Sequence, residues 1–218
     1  METRLQEAIY KLYLAPRVKR LHLIWEYRSN EMAMDMLMHG ENLARKQDWK
    51  KSPWRTVLWE IWYEEARAYR EEVSDRPTGF LILNSGKVQE YWVNETRNSQ
   101  LHLRPEKSRI EEWVARHTLL RPRCLLASHQ IIWKDMDVKL GNTVFHVEAQ
   151  NAREGIDDIC CFDDWFWGGA EKYHLWIDKE TGILLQYTAE VSETTIAVAE
   201  VKKVEIDFSE NIIPFADR

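Results

Sequence analysis

The segment from Tyr173 to Phe208 most strongly constrains what this chain can fold into. After the turn sequence Asp-Lys-Glu-Thr-Gly, apolar side chains alternate with polar ones; the apolar face is formed by Ile183, Leu185, Tyr187, Ala189 and Val191. A period of two is typical of a strand with one buried face. Gly182 supplies the left-handed backbone that closes the turn. The segment therefore predicts a terminal β-meander over residues 173–208, and it contains no catalytic group.

Composition places limits on the class of protein. With 218 residues, of which 44% are apolar and 30% charged, the chain suits a soluble globular protein with a substantial core. The net charge of −6 argues against a general nucleic-acid binder, which needs a basic face to neutralise phosphates. No stretch approaches the roughly 20 apolar residues that a membrane helix requires.

An amphipathic helix is predicted over residues 1–15, because Leu5, Ala8, Ile9 and Leu12 recur at helical spacing. Charged residues between them interrupt the apolar run that a secretory signal needs. As written, the sequence predicts a cytoplasmic protein; with a leader already removed, it would be extracytoplasmic.

The next segments alternate in a way that favours strands. Leu21, Leu23, Trp25 and Tyr27 predict one strand. Methionine then recurs every second residue from Met32 to Met38, which fits a continued strand or a flexible apolar edge. Residues 56–73 fit either a helix or two strands divided near Glu64, and we favour the two strands.

Further along, a glycine turn at 84–86 joins two apolar segments into a predicted hairpin. A second amphipathic helix is predicted over residues 106–120, ending before Pro122, and a strand follows around Thr143–Ala149. No linker divides the chain, so residues 1–218 are predicted to form a single domain.

The order of these elements, the hairpin LNSGKVQEYWVN and the terminal sequence YHLWIDKETGILLQY resemble the LolA-like superfamily. This superfamily includes lipoprotein carriers, mycobacterial-type lipid-binding lipoproteins and periplasmic sensors of the RseB type. The resemblance implies an α+β fold: a strongly curved antiparallel β-sheet, or half-open barrel, with helices covering the concave face. It also implies a cavity between sheet and helices that holds lipids or acyl chains in some members.

Eleven tryptophans are available to line such a cavity or to fill a core. The candidate ligand-binding residues, assigned by strand position, are Trp25, Trp59, Trp92, Trp133, Trp176 and Tyr187. Simple core filling is the alternative explanation for the same residues.

The loop over residues 157–169 combines carboxylates, Cys160-Cys161 and aromatic residues. Its ligand spacing matches no calcium loop or zinc knuckle, so no metal is expected. Trp165, Phe166 and Trp167 form a candidate contact surface or lid, because exposed aromatic side chains usually meet a partner. The same residues could instead fold back onto the core.

No catalytic motif is present, and no nucleophile–base pair can be named, so the sequence predicts neither an enzyme nor a cofactor. The leading hypothesis is non-enzymatic binding of an apolar ligand, a lipid or acyl chain. The alternative is a regulatory or protein-interaction module with a filled core. The expected partners are therefore a hydrophobic small molecule or lipid, or a protein, and not a nucleic acid.

Overall fold

The computed structural model describes residues 2–13, 19–38, 43, 48–64, 67–73, 78–83, 88–93, 96–99, 125–151 and 170–207. Helical segments in this part of the chain are α1 (Glu2–Tyr13), α2 (Glu31–Met38), α3 (Leu125–Ser128) and a 3-10 turn (Asp48–Lys51). None of the described helices is long and apolar enough to cross a membrane.

Eleven strands make up most of the described structure. They are β1 (Arg20–Asn30), β2 (Trp54–Glu64), β3 (Arg67–Val73), β4 (Thr78–Leu83), β5 (Val88–Val93), β6 (Thr96–Ser99), β7 (His129–Lys139), β8 (Asn142–Asn151), β9 (Lys172–Asp178), β10 (Leu184–Val191) and β11 (Thr194–Ile206). The neighbouring strands from β2 to β6 pair antiparallel, and so do those from β7 to β11.

The chain divides into two compact units, and β1, β2 and β11 contribute residues to both. The first unit comprises residues 1–16, 26–56 and 119–200. The second comprises residues 17–25, 57–118 and 201–218. The prediction of a single domain remains a prediction.

The first unit contains the strand order β1-β11-β10-β9-β8-β7. Its meander alternates as the sequence indicates, with the apolar side chains of β10 buried and Gln186, Thr188 and Glu190 half-buried between them. Helix α1 packs against β7, β8 and β9 and buries Ala8 and Leu12. Burial of this apolar stripe explains why the predicted N-terminal helix forms.

The turn between β9 and β10 forms as predicted. Gly182 has a φ of +77°, and its N–H donates to the Asp178 carbonyl at 2.8 Å. The Asp178 carboxylate accepts hydrogen bonds from the Thr181 N–H and hydroxyl, each at 2.7 Å. Lys11 of α1 donates to the Glu180 carbonyl at 2.7 Å, so this turn also holds the end of the helix.

The second unit contains the strand order β6-β5-β4-β3-β2-β1-β11. Residues 56–73 form two antiparallel strands, with Leu58 opposite Val73 and Glu64 opposite Arg67, which confirms the interpretation we favoured. The predicted pairing of the two strands of the hairpin is also confirmed, since β4 and β5 run antiparallel, while the glycine turn at 84–86 lies outside the described residues.

The prediction for the methionine-rich segment was wrong. Residues 31–38 form helix α2, neither a strand nor an apolar edge. The Asn30 side chain accepts a hydrogen bond from the Ala33 N–H at 2.9 Å and so caps the helix N-terminus. Methionine is a good helix former without a β-branch, so this cap outweighs the period-two pattern.

The predicted α+β class is confirmed: the described strands form an antiparallel sheet that is not closed into a barrel, with helix α1 packed on one face. The predicted helix over 106–120 and the contact loop Trp165, Phe166 and Trp167 lie outside the described residues. So does Phe208, the last residue of the predicted meander.

Candidate functional site

One face of the first unit is apolar across several strands. Val147, Leu175, Tyr187 and Ala199 are opposite one another in register on β8, β9, β10 and β11, and all are fully buried. Trp133 continues this row on β7, where it is half-buried and contacts Phe145 edge-to-face at 5.7 Å. This row is an apolar wall of the first unit.

The structure does not place all six predicted ligand-binding residues on one face. Trp25, Trp59 and Tyr187 are 0%, 4% and 0% exposed. Trp133 shares a face with Tyr187, whereas Trp176 pairs with His146 and Gln186 on the opposite, polar face. Trp92 lies on β5 opposite Arg97 of β6. Their role in ligand binding stays a prediction.

Buried tyrosines put hydroxyl groups inside the first unit. Burial raises the pKa of Tyr27 to about 12, although hydrogen bonds with Ser29 and Tyr187 and the charge of Arg55 oppose this. Burial, reinforced by Tyr27 and Tyr173, raises the pKa of Tyr187 well above its usual value. These phenols therefore stay protonated at neutral pH, as neutral donors and acceptors.

Trp25 is an exception to the rule that buried polar groups find partners. Its indole N–H is buried, and within the described residues no acceptor receives its hydrogen bond. A buried donor left without an acceptor costs on the order of 1–3 kcal/mol. Trp25 is thus a predicted ligand-binding residue with a buried polar atom that lacks a partner among the described residues.

The opposite face of the first unit carries a polar cluster, which we call the His146 cluster: Asp135, His146, Glu148, His174 and Trp176. His146 stacks on Trp176 with ring centroids 4.5 Å apart. Its Nδ1 contacts the Asp135 carboxylate at 3.0 Å, and its Nε2 contacts His174 Nδ1 at 3.2 Å. His174 Nε2 lies 3.8 Å from Glu148, which completes a chain of polar groups across three strands.

Glu148 is the buried anion of this cluster. Burial alone would raise its pKa, but hydrogen bonds from Lys134 (3.1 Å) and Gln150 and the charges of Lys134 and His174 outweigh burial and lower the pKa. Burial lowers the pKa of the His174 imidazole. The charges of Lys172 and His146 act in the same direction, while Glu190 and Glu148 oppose them. At neutral pH the cluster therefore holds a charged Glu148 beside a neutral His174.

We expect acid to destabilise the protein partly through His174. The pKa of this imidazole is about 6.5 in the unfolded chain and is lower in the folded protein. The stability that this difference contributes is therefore complete above about pH 6.5 and falls as the pH drops below that value. The fall in melting temperature between about pH 7 and about pH 5 should be smaller in His174→Gln than in wild type. Glu148 titrates below this window and does not interfere. Equal falls in the two proteins would contradict this account.

The second unit holds a separate buried histidine. His22 is 4% exposed and stacks on Trp62 with ring centroids 3.7 Å apart. Its two ring nitrogens contact the carboxylates of Glu205 and Glu60, each at 2.8 Å. The hydrogen bonds from His22 and Lys203 lower the pKa of Glu205. Each ring nitrogen therefore contacts one carboxylate oxygen. The cluster ties together β1, β2 and β11.

Neither histidine cluster is arranged as a conventional metal centre. Throughout the described ranges, no group of three or more His, Cys, Asp or Glu side chains is placed to hold a metal ion. The residues instead make ion pairs, ring stacks and hydrogen bonds among themselves. Chemically, the two clusters bind their own strands together.

Sequence reasoning missed the contact of His146 with His174, because that contact depends on the register of β8 and β9. It also missed an exposed apolar segment on β7, where Met136 and Val138 are 38% and 64% exposed. The alternation Asp135-Met136-Asp137-Val138-Lys139 is a period-two signal that would have predicted this strand.

An open antiparallel α+β sheet with an apolar wall and a polar reverse face defines the class of fold. Neither a protein-family model nor a curated protein sequence matches this chain. Solved structures do match. MucB has a TM-score of 0.57 and 10% identity, over 95% of this chain and 60% of the MucB chain.

The complex of MucA and MucB from Pseudomonas aeruginosa matches with a TM-score of 0.55 and 9% identity, over 94% of this chain and 56% of that one. A LolA superfamily protein from Nitrosomonas europaea matches over 94% of both chains, with a TM-score of 0.33 and 7% identity. The LolA-like fold predicted from the sequence is confirmed. The chain spans about 60% of the length of MucB, and at these identities the similarity shows the fold alone.

Proposed function

We propose that this chain is a non-enzymatic protein-interaction module, built on a LolA-like scaffold whose interior is filled by its own side chains. The observation that carries this proposal is the burial of Trp25, Trp59 and Tyr187, which are 0%, 4% and 0% exposed. These are the residues that would line a lipid cavity if the scaffold had one at these positions.

The physical argument concerns what an open cavity does to its walls. A space wide enough for an acyl chain also has room for a water molecule, so the side chains that line it keep accessible surface. Trp25 and Tyr187 keep none. Opening a cavity beside them would separate well-packed groups, at a cost that grows with cavity volume. A filled interior instead leaves recognition to the surface and the edges of the sheet.

The comparison with MucB gives this proposal further support. MucB has a similar fold and has been solved in complex with MucA(peri), in a structure with a TM-score of 0.51 to this chain and 9% identity. A scaffold of this kind can therefore bind a protein. Since this chain spans 55% of that MucB chain, the partner of MucB is not assigned to it.

The predicted contact residues Trp165 and Trp167 provide the test. The double change Trp165→Ser/Trp167→Ser should abolish capture of a specific partner in pull-down from the cells of origin while leaving the melting temperature unchanged. A lower melting temperature would mean that these residues are core. Recovery of a stoichiometric lipid in native mass spectrometry, displaced by a fluorescent fatty acid, would overturn the proposal. The predicted cytoplasmic location belongs to the same proposal, and fractionation tests it.

A second function, binding of an apolar ligand such as a lipid or acyl chain, is favoured by one observation. The buried indole N–H of Trp25 has no acceptor among the described residues, and an ester or hydroxyl oxygen of a ligand would supply one. Trp25→Phe keeps the ring and removes the donor. If a lipid is the ligand, this variant should lower the affinity for a fluorescent fatty acid. If the interior is filled, neither wild type nor variant should bind it.

A further inference from the structure

Strand β7 is at the edge of the sheet in the first unit. It has eleven residues, and in the described part of the chain only β8 pairs with it. A bulge between Trp133 and Asp135 interrupts the pairing with β8, so the strand beyond it, from Asp135 to Lys139, pairs with β8 in a shifted register. An edge strand presents unpaired backbone groups to any extended chain that approaches it.

The hairpin that joins β7 to β8 shows which backbone groups face outward. Leu140 and Gly141 have φ values of 51° and 79°, the signature of a two-residue type I′ turn. In such a hairpin the flanking Lys139 and Asn142 form a hydrogen-bonded pair, so the next pair, Val138 and Thr143, is not hydrogen-bonded. The Thr143 carbonyl indeed accepts from Lys179 N–H of the next strand's end at 3.0 Å. The backbone groups of Val138 therefore face away from β8.

The Asp137 side chain is hydrogen-bonded to one of these outward-facing backbone groups. Its carboxylate accepts a hydrogen bond from the Val138 N–H at 2.7 Å. This bond is the main reason that the pKa of Asp137 is lowered, and the charge of Lys139 contributes. The carboxylate is 47% exposed. A charged side chain thus covers this edge, as natural sheets do to prevent uncontrolled strand pairing.

The side chains of the segment alternate in character. Met136 and Val138 project on one face and are 38% and 64% exposed. Asp135 and Asp137 project on the other, with side chains 66% and 47% exposed. An added strand would bury apolar groups on one face and on the other would meet two carboxylates and Lys139, whose Nζ lies 3.7 Å from Asp137.

We propose that the outer edge of β7, from Asp135 to Lys139, binds an extended segment of a protein partner in which apolar and basic residues alternate. This inference rests on the proposed protein-interaction function and names its partner class. A basic side chain of the partner draws the Asp137 carboxylate away from the Val138 N–H. That N–H then donates to the added strand, while apolar residues of the partner cover Met136 and Val138.

A blocked peptide of alternating valine and lysine, about nine residues long, is the probe. Fluorescence anisotropy should show that wild type binds it, and that a valine–glutamate peptide of the same length binds at least about tenfold more weakly. Val138→Pro should abolish binding, because it removes the outward N–H without touching the ladder to β8. Ile206→Lys, which changes another exposed strand residue, is the matched control and should bind as wild type does.

Asp137→Asn and Val138→Lys keep the inference testable if Val138→Pro fails to fold. Asp137→Asn should lose the preference for lysine over serine in an otherwise identical peptide, and Val138→Lys should bind more weakly. Wild-type affinity in both variants would overturn the inference. A dimer seen in sedimentation and lost in Val138→Lys would mean that a second copy fills the edge, which also overturns it. If a β7 variant no longer binds the peptide but still captures the cellular partner, this edge is not the binding site. The proposed interaction function would be unaffected by that result.

Discussion

Replacing Trp25 by alanine is expected to destabilise the protein by about 3–5 kcal/mol, the range typical of a fully buried tryptophan. Trp25 is 0% exposed on β1, and the same strand buries Leu21, Leu23 and Tyr27. Truncation would remove the transfer free energy of a large side chain and leave a cavity that a β-sheet cannot easily close. Urea unfolding followed by circular dichroism measures the change.

Trp25→Phe is the matched control for this experiment. It keeps an aromatic ring in the core and removes the indole N–H, which has no acceptor in the described part of the chain. Because a buried donor without a partner costs free energy, its loss offsets part of the lost volume, and we expect less than about 2 kcal/mol. A Trp25→Ala protein with the stability of wild type would show that this position is not core.

Gly182→Val is expected to destabilise the protein by about 1–3 kcal/mol, through strain in the turn between β9 and β10. Gly182 has a φ of +77°, a conformation that a β-branched residue adopts only under strain. A Cβ at this position would also lie 3.3 Å from Cδ of Lys11, so the side chain that joins α1 to the turn would have to move. The effect should therefore lie at the upper end of this range.

Asp178→Ala in the same turn should cost less, around 1 kcal/mol, because it removes hydrogen bonds to Thr181 without forcing the backbone. Thermal unfolding monitored by circular dichroism compares the two variants. Neither change should selectively abolish binding, because the turn belongs to the scaffold. If Gly182→Val melts at the wild-type temperature, the turn tolerates a left-handed valine and the strain argument is wrong.

Sequence patterns predicted those parts of the fold whose signals lie within a few residues and whose strands or helices bury only one face. The meander from residue 173 is such a case, because one face of β10 is buried and the other is half-exposed. Residues 56–73 were ambiguous for a physical reason that the structure explains: Trp59 is buried, and Trp62 is buried too, on the other face of the strand where it stacks on His22. A strand that buries large side chains on both faces loses the alternation that identifies it.

The candidate site was less predictable than the fold. Strand position suggested that Trp176 could share a ligand cavity with Tyr187, but the register places Trp176 opposite Gln186 and beside His146. Register is set by long-range pairing, and a shift of one residue moves a side chain to the other face of the sheet. No short-range pattern reports that information.

The sequence by itself determined the α+β class, the N-terminal helix, the glycine turn at 182 and the strands that follow it, because periodicity, helix spacing and turn chemistry act within a few residues along the chain. It also contained the Asn30 cap of helix α2, a local signal that the alternating methionines obscured. Only the tertiary structure brought His146 to His174, buried Trp25 and left Val138 at an open edge. These contacts depend on which strands pair with one another, and strand pairing is decided by the apolar surface buried over the whole sheet.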